Sequence, residues 1–97
     1  MLYKFHPEAA QEFYQAIDYY EFVKKGLGLD FAKEIYLTIQ RILLFPSGWE
    51  KFTKNTRRSL TNKYPFGVLY QQKENTIIII GIMPLKRSPE IWKNRIS

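Results

Sequence analysis

Between Ile77 and Leu85 the chain reads Ile-Ile-Ile-Ile-Gly-Ile-Met-Pro-Leu, an apolar stretch broken only by Gly81 and Pro84. A helix that spans a bilayer needs roughly 20 apolar residues, so this stretch is too short to cross one. Its β-branched residues favour a strand. Ile77 to Ile80 are apolar on both faces of any strand they form, so that strand must lie central in a sheet and be covered on both sides. A chain of 97 residues has room for one core and one domain, and the remaining segments must supply the cover.

Two more segments read as strands. Arg57 to Thr61 and Phe66 to Gln72 are rich in β-branched and aromatic residues. The turn formers Asn62-Lys63-Tyr64-Pro65 and Lys73-Glu74-Asn75 separate them from each other and from Thr76 to Met83, which predicts a meander of three strands. Leu2 to Phe5 alternates weakly and stops at His6-Pro7, the pattern of a short N-terminal strand. Pro46 to Thr56 mixes turn and polar residues around Trp49 and Phe52 and reads as an exposed connection, a candidate functional loop.

The cover comes from two amphipathic helices. Pro7 suits a first helical turn, and Ala10, Phe13, Ile17 and Tyr20 recur at helical spacing, flanked by Tyr14 and Val23, which predicts a helix from Pro7 to Lys25. Gly26-Leu27-Gly28 closes it and allows an antiparallel return. Asp30 is expected to open a second helix whose stripe is Ala32, Ile35, Ile39 and Ile42, widened by Phe31, Tyr36 and Leu43, and which ends near Phe45-Pro46. Ser88 as cap and Pro89 at the first position predict a short terminal helix. The expected fold is α+β, with one domain over residues 1 to 97. An N-terminal strand and an antiparallel helix hairpin pack on a mainly antiparallel sheet in the order β-α-α-β-β-β, followed by a short C-terminal helical turn.

Several kinds of chemistry are excluded by composition. The chain has no cysteine and a single histidine, His6, which rules out disulfides, zinc ribbons, thiol catalysis and histidine-rich metal sites. Gly26-Leu27-Gly28 lies between helices, not after a strand, so it is a hinge and not a phosphate loop, and no cofactor is expected. Six of the nine acids fall in the helices, where solvated faces and helix pairs account for them, and His6 reads as a residue on the approach to a helix. The first dozen residues turn polar without the apolar core of a secretory leader, so a cytoplasmic protein with no membrane partner is expected.

The charge is uneven. Residues 1 to 45 carry five basic and six acidic side chains, whereas residues 46 to 97 carry ten basic and three acidic, which makes up the total of +6. A cationic half of this size points to a polyanionic partner, either nucleic acid or an acidic protein segment. Lys51, Lys54, Arg57, Arg58, Lys63, Lys86, Arg87, Lys93 and Arg95 are interleaved with Trp49, Tyr64, Tyr70 and Trp92. Cations neutralise phosphates and rings stack on bases, so an RNA surface is one reading. For Trp92 a core anchor that pins the C-terminal segment to the sheet is the other.

Four motifs in order resemble the RelE/ParE superfamily of bacterial type II toxins: Arg57-Arg58-Ser59-Leu60, Tyr64-Pro65-Phe66-Gly67-Val68-Leu69-Tyr70, Ile77 to Ile82, and Arg87-Ser88-Pro89-Glu90-Ile91-Trp92-Lys93-Asn94-Arg95. The likeness covers essentially the whole chain, including a hairpin closed by Gly-x-Gly and ended by Phe45-Pro46. It implies a toxin neutralised by a cognate antitoxin whose extended segment wraps it. The RelE-like branch cuts messenger RNA on the ribosome; the ParE-like branch inhibits DNA gyrase and cuts nothing itself.

Cleavage at a 2′-OH needs a proton acceptor, stabilisation of the phosphorane and a proton donor. The RelE-like nucleases place an arginine on the strand matching Phe66 to Tyr70 and an arginine and a tyrosine near the C-terminus. Here the strand offers Gly67 and the aromatic position is Trp92, whose indole N–H is no practical acid or base. Many members also carry a histidine near Pro84, which this chain lacks. Pro-Phe-Gly and Arg-Ser-Pro-x-x-Trp-x-x-Arg look closer to the ParE-like branch. In that branch Arg57, Arg58, Lys86, Arg87, Trp92 and Arg95 are expected to bind the target, and Phe13, Ile17, Ile35, Ile39 and Arg87 the antitoxin. If the chain were a nuclease, Arg58, Lys63 and Arg87 would be the catalytic set. A third reading is a basic nucleic-acid-binding module without toxicity.

Overall fold

The structure, a computed structural model, describes residues 1 to 95. In chain order it comprises β1 (Leu2–Phe5), α1 (Pro7–Val23), α2 (Leu27–Leu44), β2 (Glu50–Thr53), β3 (Thr56–Leu60), β4 (Phe66–Lys73), β5 (Thr76–Pro84) and α3 (Glu90–Arg95). The five strands form one sheet in the order β1-β5-β4-β3-β2. Pairings are antiparallel except β1 with β5, which run parallel in the register Leu2 to Thr76 through Phe5 to Ile79. Among the described residues no helix is long and apolar enough to cross a membrane.

The isoleucine run sits where its composition demands. β5 lies between β1 and β4; Ile77 and Ile79 enter the main core, and Ile78 and Ile80 face the other side. The main core lies between the sheet and the helix hairpin, where Phe13, Phe31, Ile35, Ile39 and Ile42 meet Phe66, Val68, Tyr70 and Ile82. The opposite face has a smaller cluster of Leu69, Ile80, Met83 and Trp92. α3 therefore covers the face that the hairpin leaves bare.

Two boundaries differ from the expectation. α2 begins at Leu27, with Gly26 as its cap at φ 90°, a left-handed conformation that suits glycine. Asp30 falls in the first turn of that helix and serves a tertiary purpose. Its carboxylate accepts hydrogen bonds from Lys63 Nζ at 3.0 Å and the Tyr64 hydroxyl at 2.6 Å, fastening the β3–β4 loop to the helix. The second difference is β2, which occupies part of the segment expected to be an exposed connection and pairs with β3 through a register shift between Lys51 and Thr53.

The Asp30 anchor gives a pH signature. The Tyr64 hydrogen bond, then Lys63, hold the Asp30 carboxyl below its ordinary range. Burial first and Asp30 second push the Tyr64 phenol up to about 12, so the phenol stays a donor. A depressed folded-state value stabilises the fold above the unfolded value of about 3.9 and is lost as pH falls through the folded one. Urea midpoints are thus expected to fall below about pH 4, and less steeply in Tyr64→Phe; equal slopes in the two proteins would remove the anchor from the account.

Candidate functional site

β1 is four residues long and β5 nine, so the pairing of the two ends at Ile79. Beyond it the outer edge of β5 has no strand to receive its backbone groups, and a buried unpaired group costs about 1 to 3 kcal/mol. Side chains take the place of the missing strand. The Ile82 N–H donates to Glu12 Oε1 at 3.0 Å, and Arg95 Nη1 donates to the Ile80 carbonyl at 2.9 Å. Glu12 also accepts from Trp92 Nε1 at 3.0 Å and from Arg95 Nη2 at 2.8 Å, and Arg95 Nε meets Glu8 at 3.1 Å. One carboxylate of α1 thereby joins the sheet edge, the indole and the terminal guanidinium.

Trp92 is 2% exposed and lies against Gly81, where an added Cβ would stand 2.4 Å from Trp92 Cδ1. Of the two readings of Trp92, the core anchor is the one the structure bears out. Arg95, expected on a target-binding surface, has a side chain 10% exposed and committed to Glu8 and Glu12; the hydrogen bond to Glu12 raises its pKa further. Neither residue offers its polar group to a partner.

What the clamp leaves open is the turn between β5 and α3. Lys86 and Arg87 are exposed there, and neither forms an ion pair among the described residues. The turn is closed by the Arg87 N–H donating to the Pro84 carbonyl at 3.1 Å. Beside it a groove of about 450 Å³ runs along α1, with Ala16, Tyr19 and Tyr20 on one wall and Pro65, Phe66 and Pro84 on the other. An apolar trough with two free cations at its rim suits the apolar and acidic side chains of a protein segment.

The other predicted residues are dispersed. Arg58 lies on the outer face of the sheet, with its guanidinium 2.6 Å from Glu50 and 5.8 Å from the centre of the Phe52 ring. Its stem fills the space over Gly67, where an added Cβ would come within 2.9 Å of Arg58 Cδ. Arg57 faces the other way and donates to the Trp49 carbonyl at 2.7 Å. Lys63 belongs to the Asp30 anchor on the helix side. Arg58 and Lys63 are thus each engaged by an acid of their own, Glu50 and Asp30, whereas Arg87 forms no ion pair among the described residues.

Three of the residues expected to receive an antitoxin need correcting. Phe13, Ile35 and Ile39 are buried in the main core, because the stripe that makes a helix amphipathic is the one it spends on its own sheet. Ile17 is half-buried beside them. The hairpin shows outward a different set: Tyr14, Tyr19, Phe22, Tyr36 and Leu37, with Phe22 90% exposed. Glu12 was missed because an acid on a helix is adequately explained by a solvated face. The unequal lengths of β1 and β5, which leave the edge of β5 open beyond Ile79, were the available signal.

No family model matches the chain, and no curated protein does. A solved structure described as the chromosomal ParDE TA system from P. aeruginosa is similar at a TM-score of 0.78, with 18% sequence identity over 89% of this chain and 97% of that one. The fold of this chain is therefore similar to that of the solved structure over most of its length.

Proposed function

We propose that this chain is the toxin of a type II toxin–antitoxin module, of the ParE kind, that arrests growth by binding DNA gyrase and is neutralised by a cognate antitoxin. The fold likeness to the ParDE system over nearly all of both chains carries this reading. The site geometry supports binding over cleavage. Gly67 brings no functional group to β4, the Trp92 indole is buried on Glu12, and Arg58 and Lys63 of the possible nuclease set are each held by an acid. Of the basic residues expected to bind the target, Lys86 and Arg87 line the groove and are exposed, with the arginine fork able to hold a carboxylate by two bonds. The exposed aromatics Tyr14, Phe22 and Tyr36 on the hairpin are where apolar residues of an antitoxin would lie, in place of the buried ones.

Induction in a bacterium, with labelled thymidine and methionine incorporation followed side by side, tests the target. Thymidine incorporation is expected to fall first with translation intact; an early collapse of methionine incorporation would replace this reading with a ribosome-dependent nuclease. Arg87→Ala is expected to abolish growth arrest while the thermal midpoint stays within about 2 °C, since exposed positions contribute little to stability. Full toxicity of that variant would remove the turn from the target-binding surface.

A further inference from the structure

A second cavity, also of about 450 Å³, opens at the opposite end of the sheet from Lys86 and Arg87. The antiparallel order brings the β2–β3 turn and the β4–β5 turn to the same end, and α2 delivers Pro46 and Ser47 there as well. Lys51 from β2, Lys54 from the first turn, Arg57 from β3 and Lys73 from the end of β4 all line the cavity. Among the described residues no acidic side chain lines it.

The neighbouring contacts keep it cationic and firm. Arg57 is tethered to the Trp49 carbonyl, Gln71 Nε2 donates to the Thr56 hydroxyl at 3.0 Å, and the Tyr70 hydroxyl donates to the Pro46 carbonyl at 2.5 Å. Burial pushes the Tyr70 phenol up to about 12, so it adds no negative charge. Glu50, the acid of β2, is turned to the outer face and held by Arg58. Lys51, Lys54 and Lys73 have no ion pair among the described residues.

We infer that this cavity binds a condensed phosphate chain, supplied by a nucleoside triphosphate or by free inorganic polyphosphate. Four like charges around one cavity repel one another, and a compact multivalent oxyanion is the ligand that relieves all four at once. The amide and hydroxyl groups of Asn55, Ser47 and Gln72 supply further polar contacts at the walls. A nucleic-acid strand fits less well, because strand binders combine a cationic track with exposed rings, and the lining ring, Tyr70, is buried with its hydroxyl engaged. An acidic peptide would also need apolar wall for its backbone and side-chain stems, and the lining is polar apart from Pro46 and Tyr70. The site is independent of the toxin reading and uses none of the groups at the other end of the sheet.

Calorimetric titration of the full chain at low salt tests it, with sodium tripolyphosphate, ATP, hexaglutamate and a short DNA duplex as probes. Tripolyphosphate is expected to bind one to one. The double variant Lys54→Gln/Lys73→Gln is expected to weaken it by roughly tenfold or more, because charge-assisted contacts are lost. Lys33→Gln, on a helix surface, is the control for a lysine lost away from the cavity and should leave it unchanged. Equal affinity for ATP and tripolyphosphate identifies the chain of phosphates as the recognised part, and tighter ATP identifies the nucleotide as the source. Absence of binding by both, an equal loss in Lys33→Gln, equally tight hexaglutamate, or duplex that tripolyphosphate fails to displace would each overturn the inference.

Discussion

Gly81→Ala lowers the thermal midpoint by roughly 10 to 20 °C, the equivalent of about 3 kcal/mol in a domain of this size. The added methyl would fall 2.4 Å from Trp92 Cδ1 and 2.7 Å from Nε1. Neither side can yield cheaply. Gly81 is on an interior strand paired on the β4 side with Leu69, and the indole is held by its hydrogen bond to Glu12 and by Leu69, Ile80 and Met83 around it. The substitution therefore expels Trp92, and with it α3, from the outer face. Amide exchange in Glu90 to Arg95 should rise while the helix hairpin stays protected. Replacing Trp92 by leucine in the same background relieves the clash, so the double variant should be more stable than the sum of the two single changes. A midpoint within a degree or two of the parent would show that α3 does not pack as described.

Glu12→Ala is the second large effect, at about 3 kcal/mol, seen as a lower urea midpoint. The loss is large because one carboxylate serves three donors: the Ile82 N–H, the Trp92 indole and the Arg95 guanidinium. Removing it leaves a charge that is nine-tenths covered, with Glu8 as its remaining acid among the described residues, and an unpaired N–H on the edge of β5. Asp18→Ala on the same helix is exposed and makes the comparison, with an expected change within about 0.5 kcal/mol. If the two variants unfold alike, the edge of β5 is satisfied by water and the carboxylate is incidental.

How far such features could be read from the chain depended on whether the signal was local. The isoleucine run, the helical spacing of Phe13, Ile17 and Tyr20, and the Gly26-Leu27-Gly28 punctuation are local, and each led to the observed element. β2 was hidden because Glu50-Lys51-Phe52-Thr53 is an edge strand. Edges are written with lysine and turn residues to discourage further pairing, so they look like loops. The site was less legible than the fold. Arg57, Arg58, Arg87 and Arg95 are indistinguishable as letters, and only strand parity and nearby acids separate a free cation from one already spoken for. Parity sent Arg58 to Glu50 and Arg57 to the opposite face; position sent Arg95 to Glu12 and left Arg87 alone. Phe13, Ile35 and Ile39 lie buried for the converse reason: periodicity finds the stripe that a helix spends on its own sheet, and the exposed residues are on the other side.

The parallel pairing of β1 with β5 has a consequence in time. β5 is the last strand to be synthesised, yet its place is between the first and the fourth. Until Thr76 to Pro84 has left the ribosome, β1 has no neighbour, β4 has one open side, and the apolar face of the hairpin has half a sheet to rest on. Contacts between distant parts of a chain form only after the intervening loop has been closed, so completion of this sheet waits for β5. The β5–α3 turn and the groove beside it therefore take shape only once the strand that is last in sequence has found its place in the middle of the sheet.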